Sequence, residues 1–498
     1  MRRRVAEALA AAFAALLLAA CGTPVTNPVT GREERTVMDE AAEIEEGRKA
    51  HQEVIAEMGA VADAKLQAYV NGVGQKLAKL SHRPQLAWTF TVVDSPQINA
   101  FALPGGYVYI TRGIMAYLDS EADLAGVLGH EIGHVTARHG AQRATREQNA
   151  GVGVFAATVL GAVLEAGGLR GAGQMAQEVS QGVAAGRIAA YSREQELQAD
   201  QLGAEYLSRA QYDPKNMVDV IALLRSQEQF AAESAKADGR PAPGGTNWLS
   251  SHPSNEQRLQ QIREAAAKYQ GRYGDDGRAR YLAAIDGMTF GDGRAQGVTR
   301  GQRFYHEGLG ITLAAPPGYA VRNESAAVGI VNAAGDAALV LQPVPGEAGT
   351  THDEIVRNVF KPTQAQVERL TLNGLAASRY AGQRTSQQGA QQAFEVTLVT
   401  GPQERIYAMR GVARDAAALQ RARPALREAE ASFRAMTAAD RNAARPWVVK
   451  TGNLPAGGLS ELARRSPLPH AEGHLRLLNG AYGGGAEPRA GQRIKFVE

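Results

Sequence analysis

The 498-residue sequence holds one cysteine, Cys21, so no intramolecular disulfide can staple it and any thiol chemistry rests on a single sulfur. It also lacks an excess of either charge. The 54 Lys and Arg stand against 51 Asp and Glu, interleaved, for a net +3. No extended basic field exists to collect phosphate backbones, and nucleic acid is not an expected partner. Missing too is an apolar run of the roughly 20 residues that a spanning helix needs. The stretch Ala150 to Leu164 carries no charge, but Glu165 ends it, so it reads as a buried helix or a lid over a cleft. No Gly-x-Ser-x-Gly elbow, phosphate-loop sequence or repeat of fixed period occurs, which removes the corresponding hydrolase, nucleotide and solenoid readings. What remains is ordinary globular composition, with 44% apolar and 21% charged residues. The length predicts two to four domains at roughly 100 to 200 residues each.

The surroundings of the cysteine give it a use. Arg2, Arg3 and Arg4 precede an uncharged apolar run from Ala8 to Ala20, the charged and apolar regions of an export signal. The run ends Leu18-Ala19-Ala20-Cys21-Gly22, which resembles a bacterial lipobox; the alternative is an ordinary signal with an incidental cysteine. On the lipobox reading Cys21 is acylated and anchors the chain without a transmembrane helix. Gly22, rather than Asp, points to the outer membrane. The expected location is therefore the periplasm.

Five segments follow from composition and periodicity. Residues 1–20 are the signal peptide, and 21–40, rich in Thr, Pro and Gly, read as a tether. Residues 41–290 form a mainly helical domain. Its helical period runs from about Ala41 to Leu80, strands are expected at Leu86–Val93 and Gly106–Thr111, and Asn99–Gly106 turns the chain between them. Helices dominate from Ile114 to Lys268. A Gly-rich linker near Gly287–Arg300 leads to an α+β module at 300–440, with strands near Gly310–Ala315, Ala337–Gln342, Phe394–Thr400 and Arg405–Val412 and helices near His352–Phe360 and Ala416–Met436. Residues 445–498 run strand, helix, helix, strand, an order that resembles a small LysM-type glycan-binding unit. The fold class is thus α+β and multidomain.

The chemistry sits in Val127-Leu128-Gly129-His130-Glu131-Ile132-Gly133-His134-Val135. Residues four apart on a helix share a face, so both imidazoles can reach one cation, with Zn–N distances near 2.0 Å. Glu131, one residue along, lies beside the cation rather than on it. There it can take the proton of a water that the cation has acidified. Two histidines leave such a cation short of a third protein ligand. Ser192-Arg193-Glu194-Gln195-Glu196-Leu197-Gln198-Ala199-Asp200 offers one, with Glu196 and Asp200 also four apart. If Glu196 binds the metal, Asp200 can accept the outer N–H of a ligand imidazole; alone, the segment would be a solvated charged face.

These motifs, with Asn27-Pro28-Val29-Thr30-Gly31, Asn99-Ala-Phe-Ala-Leu-Pro-Gly-Gly106, Arg138-His139, and His252-Pro253 with Arg258, resemble the HtpX- and BepA-like zinc metallopeptidases, relatives of the CAAX prenyl proteases. The resemblance covers Asn27 to about Arg258. It implies a zincin-like (gluzincin) fold, one Zn2+ held by His130, His134 and Glu196, and Glu131 as general base. It places His252 near the metal, either stabilising an oxyanion or plugging the open position. It also implies that Gly106, Tyr107 and Val108 lie on an edge strand that pairs with an extended peptide substrate. The expected activity is an endopeptidase that removes misfolded or stalled envelope proteins, with peptidoglycan as a further partner of the C-terminal unit. The alternative is an assembly factor whose metal site His252 keeps closed. The remaining histidines, among them His51, His82, His139 and His474, carry no supporting motif and read as structural or solvent-exposed.

Overall fold

A computed structural model of the full chain describes residues 23–146, 191–239, 248–252, 256–323, 327–385 and 391–498. Cys21, the signal segment 1–20, the stretch Ala150–Leu164 and Pro253 lie outside the described residues. Two compact units emerge: Met1–Ala235 with Ala242–Met288 and Val449–Glu498, and Lys236–Pro241 with Thr289–Val448. Among the described residues no helix is long and apolar enough to cross a membrane.

In the first unit, the stretch expected as a tether folds into an antiparallel hairpin, β1 (Thr23–Thr26) and β2 (Glu33–Thr36). Pro28, Thr30 and Gly31 belong to the turn, while Thr23, Pro24, Thr26 and Thr36 are strand residues. Asn27 Oδ1 accepts the backbone N–H groups of Val29 and Thr30, and Gly31 closes the loop at φ 66°. The helical period over Ala41–Leu80 divides into α1 (Glu40–Met58) and α2 (Ala64–Ala78), N-capped by Asp39 and Asp63.

A three-stranded sheet comes next: β3 (Thr89–Val93), β4 (Ala100–Leu103) and β5 (Tyr107–Thr111). The expected turn Asn99–Gly106 contracts to Pro104-Gly105-Gly106, whose glycines take φ of 81° and 98°. Ala100–Leu103 is a strand in its own right. The sheet order is β3–β5–β4, with β5 parallel to β3 and antiparallel to β4. This corrects the edge-strand expectation for Gly106, Tyr107 and Val108. Tyr107 and Val108 are paired on both sides, and the Gly106 carbonyl already accepts from Thr89 N–H. Both β3 and β4 are edge strands; β3 carries an isolated bridge from Ala60 to Val93, and among the described residues β4 pairs with no strand on its outer side.

Helices α3 (Arg112–Tyr117), α4 (Glu121–Thr136), α5 (Arg193–Arg209), α6 (Asn216–Ala237), α7 (Trp248–Ser251), α8 (Glu256–Ala267) and α9 (Arg278–Ile285) build the rest of the body. Every residue of α4 is buried, its polar Glu121, Asp123, His130, Glu131, His134 and Thr136 included. The C-terminal stretch supplies β6 (Trp447–Asn453), α10 (Gly458–Ala463), α11 (Ala471–Leu478) and β7 (Arg493–Val497), with β6 and β7 antiparallel. From Val449 onward it belongs to the unit that contains α4. Val449 exchanges backbone hydrogen bonds with Gly287 and Met288. The buried Lys495 Nζ donates to the carbonyls of Tyr117 (2.9 Å) and Leu118 (2.6 Å) at the end of α3.

The second unit contains a seven-stranded antiparallel sheet in the order Tyr319–Asn323, Val328–Asn332, Ala337–Pro343, Ile406–Ala413, Gln391–Thr400, Leu375–Thr385 and Pro362–Leu372. Helix Ala416–Ala431 packs on it over a core that includes Ile330, Leu339, Met409, Leu426 and Phe433. The pair Pro362–Leu372 and Leu375–Thr385 was not expected from the sequence.

Candidate metal centre

Two capped helices carry the site. Ser120 and Asp123 form a capping box at the start of α4, and Ser192 with Gln195 forms one at the start of α5, so both helices begin at fixed residues. Small residues then let the two axes close. A Cβ on Gly133 would fall 2.8 Å from the Ala199 carbonyl oxygen, and one on Gly129 would fall 3.5 Å from Gly203 Cα. This approach brings His130 and His134 of α4 to Glu196 and Asp200 of α5. From the other side, α7 adds Trp248, and His252 follows it. His130, Glu131, His134, Glu196 and His252 are each at most 2% exposed.

One ligand atom from each of His130, His134, Glu196 and His252 lies within 4.8 Å of all the others. His130 Nε2 is 3.0 Å from His134 Nε2 and 3.1 Å from His252 Nδ1. Glu196 Oε1 is 3.0 Å from His252 Nδ1 and 3.4 Å from His134 Nε2. Glu131 stands beside the cluster, its Oε1 3.6 Å from His252 Nε2. It accepts a hydrogen bond from Trp248 Nε1 at 3.1 Å. The Trp248 ring stacks on His252 with centroids 4.6 Å apart.

Asp200 Oδ1 lies 2.8 Å from His130 Nδ1, while Arg258 donates to both Asp200 oxygens, at 2.9 and 3.0 Å, and to the His252 carbonyl. Arg258 Nη1 also sits 2.7 Å from Glu196 Oε2. Burial lowers the pKa of His130 and His134, which favours their neutral, ligating form. Burial would raise Asp200 and Glu196, but Arg258 and His130 outweigh it for Asp200, and His252 and His134 for Glu196, so both stay below the usual carboxylate range. For His252 burial pulls the pKa down, and the Glu196 and Glu131 carboxylates more than offset it.

These donors fit a divalent cation. A carboxylate faces His130 Nδ1, so that nitrogen carries the proton and Nε2 presents a lone pair. The lone pair meets a second imidazole nitrogen at 3.0 Å, and the buried Glu196 Oε1 lies 3.4 Å from that same nitrogen. Converging lone pairs and a buried carboxylate oxygen repel one another unless a cation lies among them.

The structure brings His130, Glu131, His134, Glu196, Asp200 and His252 together. Tyr107 and Val108 sit on the internal strand β5. Trp248, which holds Glu131, was not singled out in the sequence, whereas Arg258, which pairs both carboxylates, and His139 stand among the motifs of the resemblance without a role of their own. The last was grouped with the unassigned histidines, yet it is fully buried with Nδ1 2.9 Å from His134 Nδ1. Burial and the neighbouring His134 hold its pKa down at about 3, so it is neutral. Helical spacing gives no signal for it, because α4 ends at Thr136 and the chain turns at Arg138, φ 55°, before His139 meets His134.

Comparison with known proteins agrees with this geometry. Residues 64–266 match the sequence model of Peptidase family M48. The chain is 29% identical over 208 residues to a beta-barrel assembly-enhancing protease of Yersinia pestis, a match covering 41% of this chain and 40% of that one. It is 32% identical over 208 residues to a putative protease of the same name from Vibrio cholerae, covering 42% and 40%. A mitochondrial metalloendopeptidase OMA1 of Schizosaccharomyces pombe is 30% identical over 196 residues, 39% of this chain and 52% of that one. The match thus spans less than half the length of the first two relatives. The solved structure of LpqN from Mycobacterium tuberculosis superposes with a TM-score of 0.19, below the level at which a shared fold follows. Residues 64–266 thus resemble a Peptidase family M48 domain, and within them His130, His134, Glu196 and His252 form a buried cluster that could hold a metal ion.

Proposed function

We propose that the protein is a lipid-anchored zinc metalloendopeptidase of the periplasm that hydrolyses peptide bonds in misfolded or stalled envelope proteins. The observation that carries the peptidase is the donor cluster of His130, His134 and Glu196 with Glu131 beside it. Two imidazoles and a carboxylate with one further position favour zinc. When bound, the metal supplies Lewis-acid polarisation of the scissile carbonyl and acidifies the attacking water. Glu131 takes the water's proton and returns it to the leaving amine, with Trp248 Nε1 fixing the carboxylate's orientation. Substrate is held as an added strand on β4, Ala100–Leu103, whose outer backbone edge pairs with no strand among the described residues. Loose sequence preference follows, because main-chain groups do the recognising.

His252 occupies the fourth position of the cluster and acts as a plug, so substrate entry requires α7 and His252 to withdraw. The periplasmic assignment and the choice of envelope proteins rest on the lipobox at Cys21 and on the names of the bacterial relatives. Binding of peptidoglycan by residues 445–498 rests on their strand, helix, helix, strand order. The burial of all five central side chains favours one other reading, an assembly factor whose site His252 keeps shut.

Metal content and casein cleavage of the chain lacking residues 1–21 separate the two. Stoichiometric zinc, cleavage in the parent and a loss of roughly 10²-fold or more in Glu131→Gln with zinc retained establish the peptidase. Zinc without cleavage, even in His252→Ala, establishes the assembly factor.

A further inference from the structure

We propose that Asn27, on the N-terminal hairpin and outside the matched residues 64–266, is a positioning residue for the metal ligand His134. It would act through Gln198 and His139 to fix which nitrogen of His134 carries the proton. The inference rests on the metal-site reading above and extends it to a segment read from sequence as a tether.

The argument starts from groups that can only donate. The backbone N–H groups of Val29 and Thr30 donate to Asn27 Oδ1 at 2.9 and 3.2 Å, so that atom is the amide oxygen. Its partner Nδ2 must then donate, and it does so to Glu34 Oε1 at 3.0 Å and Gln198 Oε1 at 2.9 Å. A donor on Gln198 fixes that atom as oxygen in turn. His139 Nε2, 3.0 Å from the same oxygen, must therefore carry its proton. A neutral imidazole has one N–H, so His139 Nδ1 bears a lone pair. It faces His134 Nδ1 at 2.9 Å, and a hydrogen bond there requires the proton to be on His134. His134 Nε2 is left as a lone pair directed at His130 Nε2 and Glu196. Every member of the chain is buried: Asn27 is 2% exposed, Gln198 7% and His139 0%, so water does not compete for these bonds. Polarity set by two backbone amides of the hairpin thus reaches the metal ligand through three side chains.

Two near-isosteric substitutions separate polarity from mere contact. Asn27→Asp keeps the acceptor for Val29 and Thr30 but turns the donor into a second carboxylate oxygen facing Gln198 Oε1. Gln198 then has to rotate its amide and donate, which reverses each later bond and moves the His134 proton to Nε2. Gln198→Glu keeps an acceptor toward both Asn27 and His139, so it preserves the polarity. Zinc affinity of the full chain is measured by competition with a chromophoric chelator. The His134 tautomer is read from 15N-histidine spectra of chelator-treated protein.

The expected result for Asn27→Asp is a roughly 10- to 100-fold weaker zinc affinity and an Nε2-protonated His134. Gln198→Glu should keep an affinity near the parent's and an Nδ1-protonated His134. A folded Asn27→Asp protein with parental affinity and tautomer overturns the proposal, as does equal loss in both variants. If the parent binds no zinc, the metal reading falls, while its His134 tautomer still decides the relay: a proton on Nδ1 supports it and one on Nε2 overturns it. The same parental tautomer decides the matter if Asn27→Asp does not fold.

Discussion

Gly133 of α4 and Ala199 of α5 approach so closely that a methyl on Gly133 would sit 2.8 Å from the Ala199 carbonyl oxygen and 2.9 Å from its Cα. Both obstacles are backbone, so no side-chain rotation can relieve them. Gly133→Ala should therefore spread the two helices that carry the metal ligands, costing about 1–3 kcal/mol and weakening metal binding together. Gly72→Ala gives the opposite sign: Gly72 lies inside α2 with nothing within 4 Å of an added Cβ. That exchange should stabilise by about 0.5–1 kcal/mol. Urea unfolding of both variants checks the pair, and destabilisation by Gly72→Ala would contradict the local argument.

Arg258 faces the carboxylates of Asp200 and Glu196 at 2.9 and 2.7 Å in a buried setting. Replacing it with Met leaves two buried anions without their cation, and breaking such a pair costs about 3–5 kcal/mol. The expected outcome for Arg258→Met is a large drop in unfolding free energy in the presence of a chelator. Added zinc should recover part of it by supplying positive charge to the same carboxylates. A variant as stable as the parent in chelator would mean that the ion pairs contribute nothing net.

Lys495 is buried, and burial lowers its pKa from 10.5 to about 8. Above pH 8 the folded protein releases a proton that the unfolded chain keeps until about 10.5. The unfolded state then binds more protons, and stability from this group rises with pH across that window, by up to about 3 kcal/mol. Comparing unfolding at pH 7.5 and 10 in the parent and in Lys495→Met checks this. The variant should lack that part of the rise, and identical pH profiles would refute it.

Removing residues 447–498 tests whether the C-terminal unit is separable. The Val449 bonds to Gly287 and Met288, and the Lys495 bonds to Tyr117 and Leu118, join it to the body that holds α4. Truncation should lower the midpoint of thermal unfolding and weaken zinc retention. An unchanged midpoint would mark the unit as a detachable module.

Sequence alone revealed the site better than its frame. The His130 to His134 spacing and the Glu196 to Asp200 spacing are helical facts, and helical spacing is local. Glu131, His134 and Asp200 could thus be read without knowing the fold. Trp248 could not, because it reaches the site from a distant segment, and Asn27 was visible only as the start of the Asn27–Gly31 motif, with nothing local to say what it touches. The strand Ala100–Leu103 was hidden by the breakers that follow it, Pro104 to Gly106. In the second unit, Pro362–Leu372 is exposed on both faces along most of its length, so it shows no apolar alternation to find. The clue lay in Asn373-Gly374, with φ of 47° and 86°. This pair joins Leu372 to Leu375 in a two-residue hairpin loop.

The hairpin of β1 and β2 has a consequence for reach. Twenty unstructured residues from Cys21 would let the catalytic body roam roughly 70 Å from its anchor. The hairpin instead begins at Thr23, and Asn27 donates to Gln198 beside the metal centre, so only five residues separate that contact from Cys21. A lipid on Cys21 would hold the active site on a leash of about 20 Å. On the proposed lipidation of Cys21, that leash would confine the site to the membrane surface, and polypeptides still engaged with that surface would be the ones within its reach.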